Sequence, residues 1–157
     1  MSLIAAISLG SNLNSLWGDR EATLREAVKR VAKLGTVRAV SSFHDTEPVG
    51  MTKQPRFLNA AMLLQTELEP VELMRALLEI ERAMGRDRAS TPAKGPRTID
   101  LDLLLMDDMV LESNELTLPH PAMAERRFVL EPLAEIAPDM VAPITGRTVV
   151  EMLAQLA

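Results

Sequence analysis

The chain has 157 residues, 47% hydrophobic, 25% charged and 3% aromatic, with a formal net charge of −5 and no cysteine. That is about the length of one domain with a buried core. It is too apolar for a disordered chain and lacks the thiols for disulfides, a thiolate zinc site, an iron–sulfur cluster or a cysteine nucleophile. The acidic balance speaks against general nucleic-acid affinity, and Trp17, Phe43, Phe57 and Phe128 are the aromatic rings available to stack on a planar ligand.

The start of the chain has no positive n-region, and its apolar run is too short to span a bilayer. A cytoplasmic protein with no membrane partner is expected. Residues 3–9 (LIAAISL) read as a buried strand ended by the turn signal Gly10-Ser11-Asn12. Over 19–34 the apolar positions Leu24, Ala27, Val28, Val31 and Leu34 follow helical spacing, with Glu21, Arg25, Glu26, Arg30 and Lys33 on the opposite, solvated face.

Residues 37–43 read as a second strand, and 57–66 (FLNAAMLLQT) as a third that is apolar on both faces, as a covered central strand would be. Pro70 opens a helix whose Leu73, Leu77, Ile80 and Met84 share a face, stopped by Gly85. Segments 99–106 and 109–112 read as a hairpin around Asp107-Asp108. A short helical turn follows Leu118, then helices near 127–136 and 148–156. The order, roughly β-α-β-β-α-β-β-α, predicts an α+β fold. Its expected form is a ferredoxin-like core in three α-β-α layers with a mostly antiparallel sheet, in one domain over 1–157.

Two connections, 44–56 and 86–98, are long and polar for so compact a domain, as binding loops or lids often are. The second carries Arg86, Arg88, Lys94 and Arg97 against the single anion Asp87. Arginine forks bind phosphate oxygens and stabilise the charge of a phosphoryl transition state. Directly after it, Asp100 and Asp102 alternate with Ile99, Leu101 and Leu103, so in a strand both carboxylates point to one face, roughly 6–7 Å apart. Such a pair repels itself unless a cation intervenes, and hard oxygen donors suit Mg²⁺ held jointly with substrate phosphates. An edge strand with a solvated polar face is the plain alternative. On the third strand Phe57 and Asn59 face the same way, offering a ring and an amide to a flat heterocycle. Phe128 is either an opposite wall or the anchor of its helix. No Gly-rich nucleotide loop of the G-x-x-x-x-G-K-[ST] or G-x-G-x-x-G type is present.

Taken together, Gly10-Ser11-Asn12-Leu13, Val40-Ser41-Ser42-Phe43 with Thr46 and Pro48, FLNAA (57–61), Gly85-Arg86, GPRTIDLDLLL (95–105), LPHP (118–121) and the stretch from Arg126 to Leu133 resemble the 6-hydroxymethyl-7,8-dihydropterin pyrophosphokinase family of folate biosynthesis. The resemblance covers essentially the whole chain. It implies transfer of diphosphate from ATP to the pterin hydroxymethyl group with release of AMP. It further implies that Asp100 and Asp102 hold two Mg²⁺ ions, with Arg86 and Arg97 as the other catalytic residues. ATP would be bound by Glu81, Arg86, Arg88, Lys94, Arg97, Thr117, His120 and Arg126. The pterin would lie between Phe57 and Phe128, read by Asn59, Thr46 and the backbone of Glu47 to Val49.

The chain departs from the family pattern at Ala93-Lys94, where an Arg-Trp pair is frequent, and at Pro121, Leu78 and Glu47. The partners expected are these two small molecules, with a monomer as the simplest assembly. Three rivals remain at this point: an inert ligand-binding module, a Mg²⁺-dependent phosphohydrolase using the D-x-D strand, and an interaction domain with a basic surface loop.

Overall fold

The computed structural model describes residues 2–12, 17–46, 56–85 and 99–156. The sheet is built from β1 (Leu3–Ser11), β2 (Thr36–Val40), β3 (His44–Thr46), β4 (Phe57–Thr66) and β5 (Asp100–Met106), in the order β2-β4-β1-β5 with β3 also on β4. All pairings are antiparallel. Helices α1 (Arg20–Val31) and α2 (Pro70–Ala83) intervene after β1 and after β4, so the core is a split β-α-β pair of ferredoxin-like type.

Why these segments are helices is local. Asp19 caps α1 by accepting from the Ala22 N–H at 3.0 Å, and Thr23, Leu24, Ala27 and Val31 form its buried stripe. Helix α2 starts with a reciprocal Glu69/Glu72 capping box and Pro70 in its first turn, and the chain turns away at Gly85 with φ +94°. Helices α3 (Arg127–Ile136) and α4 (Val149–Ala154) complete the third layer.

The sheet separates two cores. Ala5, Ile7, Leu9, Ala60, Met62, Leu64, Leu101 and Leu103 pack with Leu24, Leu73 and Leu77 of α1 and α2. Ala6, Ala61, Leu104 and Leu105 pack with Leu130, Leu133, Val149 and Met152 of α3 and α4. β4 is therefore covered on both sides, as its sequence predicts. In β5 the alternation slips. The register with β1 shifts between Ala6 and Ile7, and the bulge sends the consecutive Leu104 and Leu105 to the α3/α4 core while Leu103 and Met106 face the other.

Two expectations need correction. No hairpin forms around Asp107-Asp108. Asp107 exchanges hydrogen bonds with β1 instead, its N–H donating to the Ile4 carbonyl at 2.9 Å and its carboxylate accepting from the Ile4 N–H at 3.2 Å. β6 (Leu111–Glu112) pairs with β7 (Thr117–Leu118) in a separate ribbon. The second strand, expected over 37–43, ends at Val40. There the Ser41 hydroxyl takes the Ala61 N–H at 2.9 Å, interrupting the ladder, and pairing resumes in β3 within a segment expected to be loop.

Candidate active site

The site is built by cross-strand register. His44 pairs with Asn59, Asn59 with Gly10, and Gly10 with Asp100. One row thus crosses four strands on the α3 face, with Asn59 and Asp100 two strand spacings, about 9–10 Å, apart at the backbone. The adjacent row carries Ala61, Ser8 and Asp102. Ile99, Leu101 and Leu103 are buried on the opposite face, so strand parity aims both half-buried aspartates to the α3 side.

The far end of the row is braced from two directions. Thr46 pairs with Phe57, and Asn59 Nδ2 donates to Thr46 Oγ1; Asn59 is only 4% exposed. On the α1 side Asp45 binds Arg20 and Arg56, and these two guanidinium groups hold its carboxyl below the usual range. On the α3 side Glu135 accepts from the Ser42 hydroxyl and N–H, both at 2.7 Å, and from His44 Nε2 at 3.0 Å. Those bonds, the Ser42 hydroxyl's first, pull the Glu135 carboxyl down to about 2.

A carboxyl depressed on folding adds stability that is present above its ordinary value near 4.5 and fades as pH falls towards the folded value. Glu135→Gln should therefore melt below the wild type at neutral pH, with the gap narrowing between about pH 4.5 and 2. A gap that stays constant across that window in a pH series of melting curves would rule this contribution out.

The near end is bordered by the β7–α3 connection. Thr117 lies in the ribbon that runs through a cis Leu118-Pro119 bond into His120. The His120 N–H donates to the carbonyl of Leu104, the bulge residue of β5, at 2.9 Å. Its ring Nδ1 accepts from the Ala122 N–H at 3.1 Å, which leaves the proton of the neutral ring on Nε2. Burial, then the charge of Arg126, lowers the His120 pKa, and Asp100 partly opposes them. The Arg126 guanidinium stands 5.8 Å from the centre of the Phe128 ring, and Phe128 is half-buried against the α3/α4 core.

Of the residues singled out in the sequence, the structure thus gathers Asp100, Asp102, Asn59, Thr46 and Phe57 on one sheet end, with His120 close enough to Asp100 and to Arg126 to feel both charges. Glu81, expected to contact the nucleotide, lies at the end of α2 facing β5. It is 1% exposed and accepts from the Leu101 N–H at 2.7 Å, beneath the strand that carries the aspartates. Arg86, Arg88, Lys94, Arg97, Glu47 and Val49 lie outside the described residues. Among the described residues no three His, Asp or Glu side chains form a cluster able to hold a metal by themselves. Two carboxylates of one strand fit an ion that takes its other oxygens from phosphate and water. Sequence reasoning missed His44 and Gly10, whose partners are cross-strand neighbours; for Gly10 the strand-ending Gly-Ser-Asn was the available signal.

Residues 6–138 match the family model 7,8-dihydro-6-hydroxymethylpterin-pyrophosphokinase (HPPK). The chain belongs to the HPPK family. It is 47% identical over 138 residues to the 2-amino-4-hydroxy-6-hydroxymethyldihydropteridine pyrophosphokinase of Bacillus subtilis, covering 87% of this chain and 79% of the relative. With the Methylorubrum extorquens protein of the same name it shares 46% over 154 residues, 97% of this chain and 92% of that one. The folic acid synthesis protein fol1 of Schizosaccharomyces pombe is 41% identical over 155 residues, 98% of this chain, which spans only 20% of that longer protein. Wild-type HPPK-DHPS of Plasmodium falciparum has the same fold, with a TM-score of 0.73 over 99% of this chain and 45% of its own, at 14% identity. Pyrophosphokinase activity on hydroxymethyldihydropterin in folate biosynthesis, with ATP as co-substrate, is the activity of the HPPK family. No described helix is long and apolar enough to cross a membrane.

Proposed function

We propose that this chain transfers the β,γ-diphosphate of ATP to the hydroxymethyl group of 6-hydroxymethyl-7,8-dihydropterin. The hydroxyl oxygen bonds to the β-phosphorus as its proton is released to water, the bond from that phosphorus to the α-phosphate oxygen breaks, and AMP leaves. The observation that carries the reading is the row from Asn59 across Gly10 to Asp100, which sets an amide for a heterocycle and a carboxylate for a phosphate-bound cation on one surface. Residues 1–157 are read as one catalytic domain working in the cytoplasm, where ATP is supplied.

Each residue has a task in this reading. Phe57 gives the pterin ring a flat apolar surface, Phe128 the facing one, and Asn59, steadied by Thr46, pairs with its polar edge. Asp100 and Asp102 hold Mg²⁺, which when bound supplies positive charge to the transferring phosphates. His120 Nε2–H points a neutral donor at a phosphate oxygen, and Arg126 adds a cation beside it. Arg86, Arg88, Lys94 and Arg97 contribute further phosphate contacts, Thr117 a contact to the nucleoside, and the Glu47 to Val49 backbone a contact to the pterin.

Incubation with ATP, Mg²⁺ and the reduced pterin tests the assignment by the nucleotide released. Stoichiometric AMP and pterin diphosphate are expected. ADP and phosphate without pterin dependence would replace the reading by a phosphohydrolase, and intact binding without turnover by an inert module. Phe57→Ala should weaken pterin binding at least about fivefold, since a buried aromatic contact of this kind is worth upwards of about 1 kcal/mol, and leave ATP binding within twofold. Equal losses for both ligands in calorimetric titrations would remove the stacking role.

A further inference from the structure

Gly10 stands in β1 directly between Asn59 of β4 and Asp100 of β5, where a strand would gain from a side chain and glycine costs stability. Its backbone is not in the left-handed region, so conformation does not demand glycine there. Space does. A Cβ built on Gly10 would lie 2.9 Å from Asn59 Oδ1 and 3.9 Å from Phe57 Cδ1. The first distance is closer than real Cβ contacts allow, and the atom met is the free end of a side chain. Asn59 Nδ2 is held by Thr46 Oγ1, so the carboxamide is fixed at its nitrogen and its oxygen leans over Gly10.

We propose that Gly10 is a positioning residue for pterin recognition: the missing side chain is what lets Asn59 Oδ1 lie over the β1 backbone. An added methyl displaces the oxygen, because the sheet backbone on both sides is fixed by ladder bonds and the carboxamide is the part that can yield. Rotation of the amide also breaks its bond to Thr46, so both atoms that read the heterocycle's edge leave their places together. Asp100 and Asp102 point from the neighbouring strand and stay put. The effect therefore falls on the pterin and spares the nucleotide. This inference rests on the assignment of Asn59 to the pterin made above.

The test measures dissociation constants of Gly10→Ala for 6-hydroxymethyl-7,8-dihydropterin and for α,β-methylene-ATP, whose bridging carbon blocks transfer. The pterin constant, measured with the nucleotide analogue and Mg²⁺ present, should rise at least about tenfold, as loss of a recognising hydrogen bond would give. The analogue's own constant should stay within twofold. A pterin constant within twofold of wild type overturns the proposal. Asn59→Ala separates the two levels: if it too binds pterin normally, the assignment of Asn59 is at fault, and if it alone is impaired, only the role of Gly10 is. The double variant Gly10→Ala/Asn59→Ala should bind pterin as Asn59→Ala does, because the oxygen that the methyl displaces is gone. A further tenfold loss in the double variant would mean that the methyl occupies ligand space itself, and overturns positioning through the amide. Should Gly10→Ala fail to fold, the double variant, free of the clash, must fold; its failure also overturns the proposal.

Discussion

Alanine at position 102 should lower turnover by about 1,000-fold or more, the scale on which removal of a group stabilising transition-state charge is felt. The fold should survive, because Asp102 is half-buried on the polar face of β5 while the strand's anchors, Leu101 and Leu103, point into the α1/α2 core. Its neighbour Asp100 lies on the same face of the same strand, so the two carboxylates can share one cation. The Mg²⁺ concentration needed for half-maximal rate should therefore rise in Asp102→Ala. A variant with wild-type rates and wild-type Mg²⁺ dependence would dismiss the carboxylate pair as the cation site.

Glu81 should produce the largest stability effect among the site residues. Its carboxyl oxygen is the acceptor for the Leu101 N–H, in the one residue that separates the two aspartates. Glu81→Ala leaves that buried donor without this acceptor, at about 1–3 kcal/mol, and adds a cavity beneath the strand. The strand end would then shift, and displacements near 1 Å at groups that position a substrate can cost about 100-fold in rate. Glu81→Gln keeps an oxygen at the same reach and should recover most of both losses. Urea midpoints and kcat for the two variants decide the matter. A Gln variant as impaired as the Ala variant, with its stability intact, would point to a direct ligand contact by the acid instead of support of the strand.

How far the sequence reached can be seen residue by residue. Wherever the deciding interaction lies within one element, the pattern is readable: the Asp19 cap, the Glu69/Glu72 box and the two-faced apolarity of β4 are local facts. The parity of Asp100 and Asp102 is equally local, and the α+β order follows from the sequence of elements. The misreadings share a different cause. Asp107-Asp108 has the composition of a hairpin turn, but Asp107 binds Ile4, 103 residues away in sequence, and that long-range bond redirects the chain. β3 is three polar residues, His44, Asp45 and Thr46, with no hydrophobic alternation to announce a strand; it exists because Arg20, Arg56 and Glu135 hold it from both faces. Glu81 has the look of one more charge near the end of an amphipathic helix. Its hydrogen bond to the Leu101 N–H across the α2–β5 interface is a long-range contact that its own helix does not announce. The resemblance to a family supplied the roles of His120 and Arg126, which no spacing rule would assign.

The slip in alternation at Leu104 has a consequence for how such a chain can drift. In an unbroken strand each residue's direction is tied to every other's, so a change of packing that rotated one end would turn the other. The extra residue uncouples the two ends of β5. Leu104 and Leu105 can exchange volume with Leu130 and Leu133 across the α3/α4 interface without re-aiming Asp100 and Asp102. The run of three leucines after Asp102 is the written trace of that uncoupling. Diversity in one half of the strand is thereby compatible with constancy in the other.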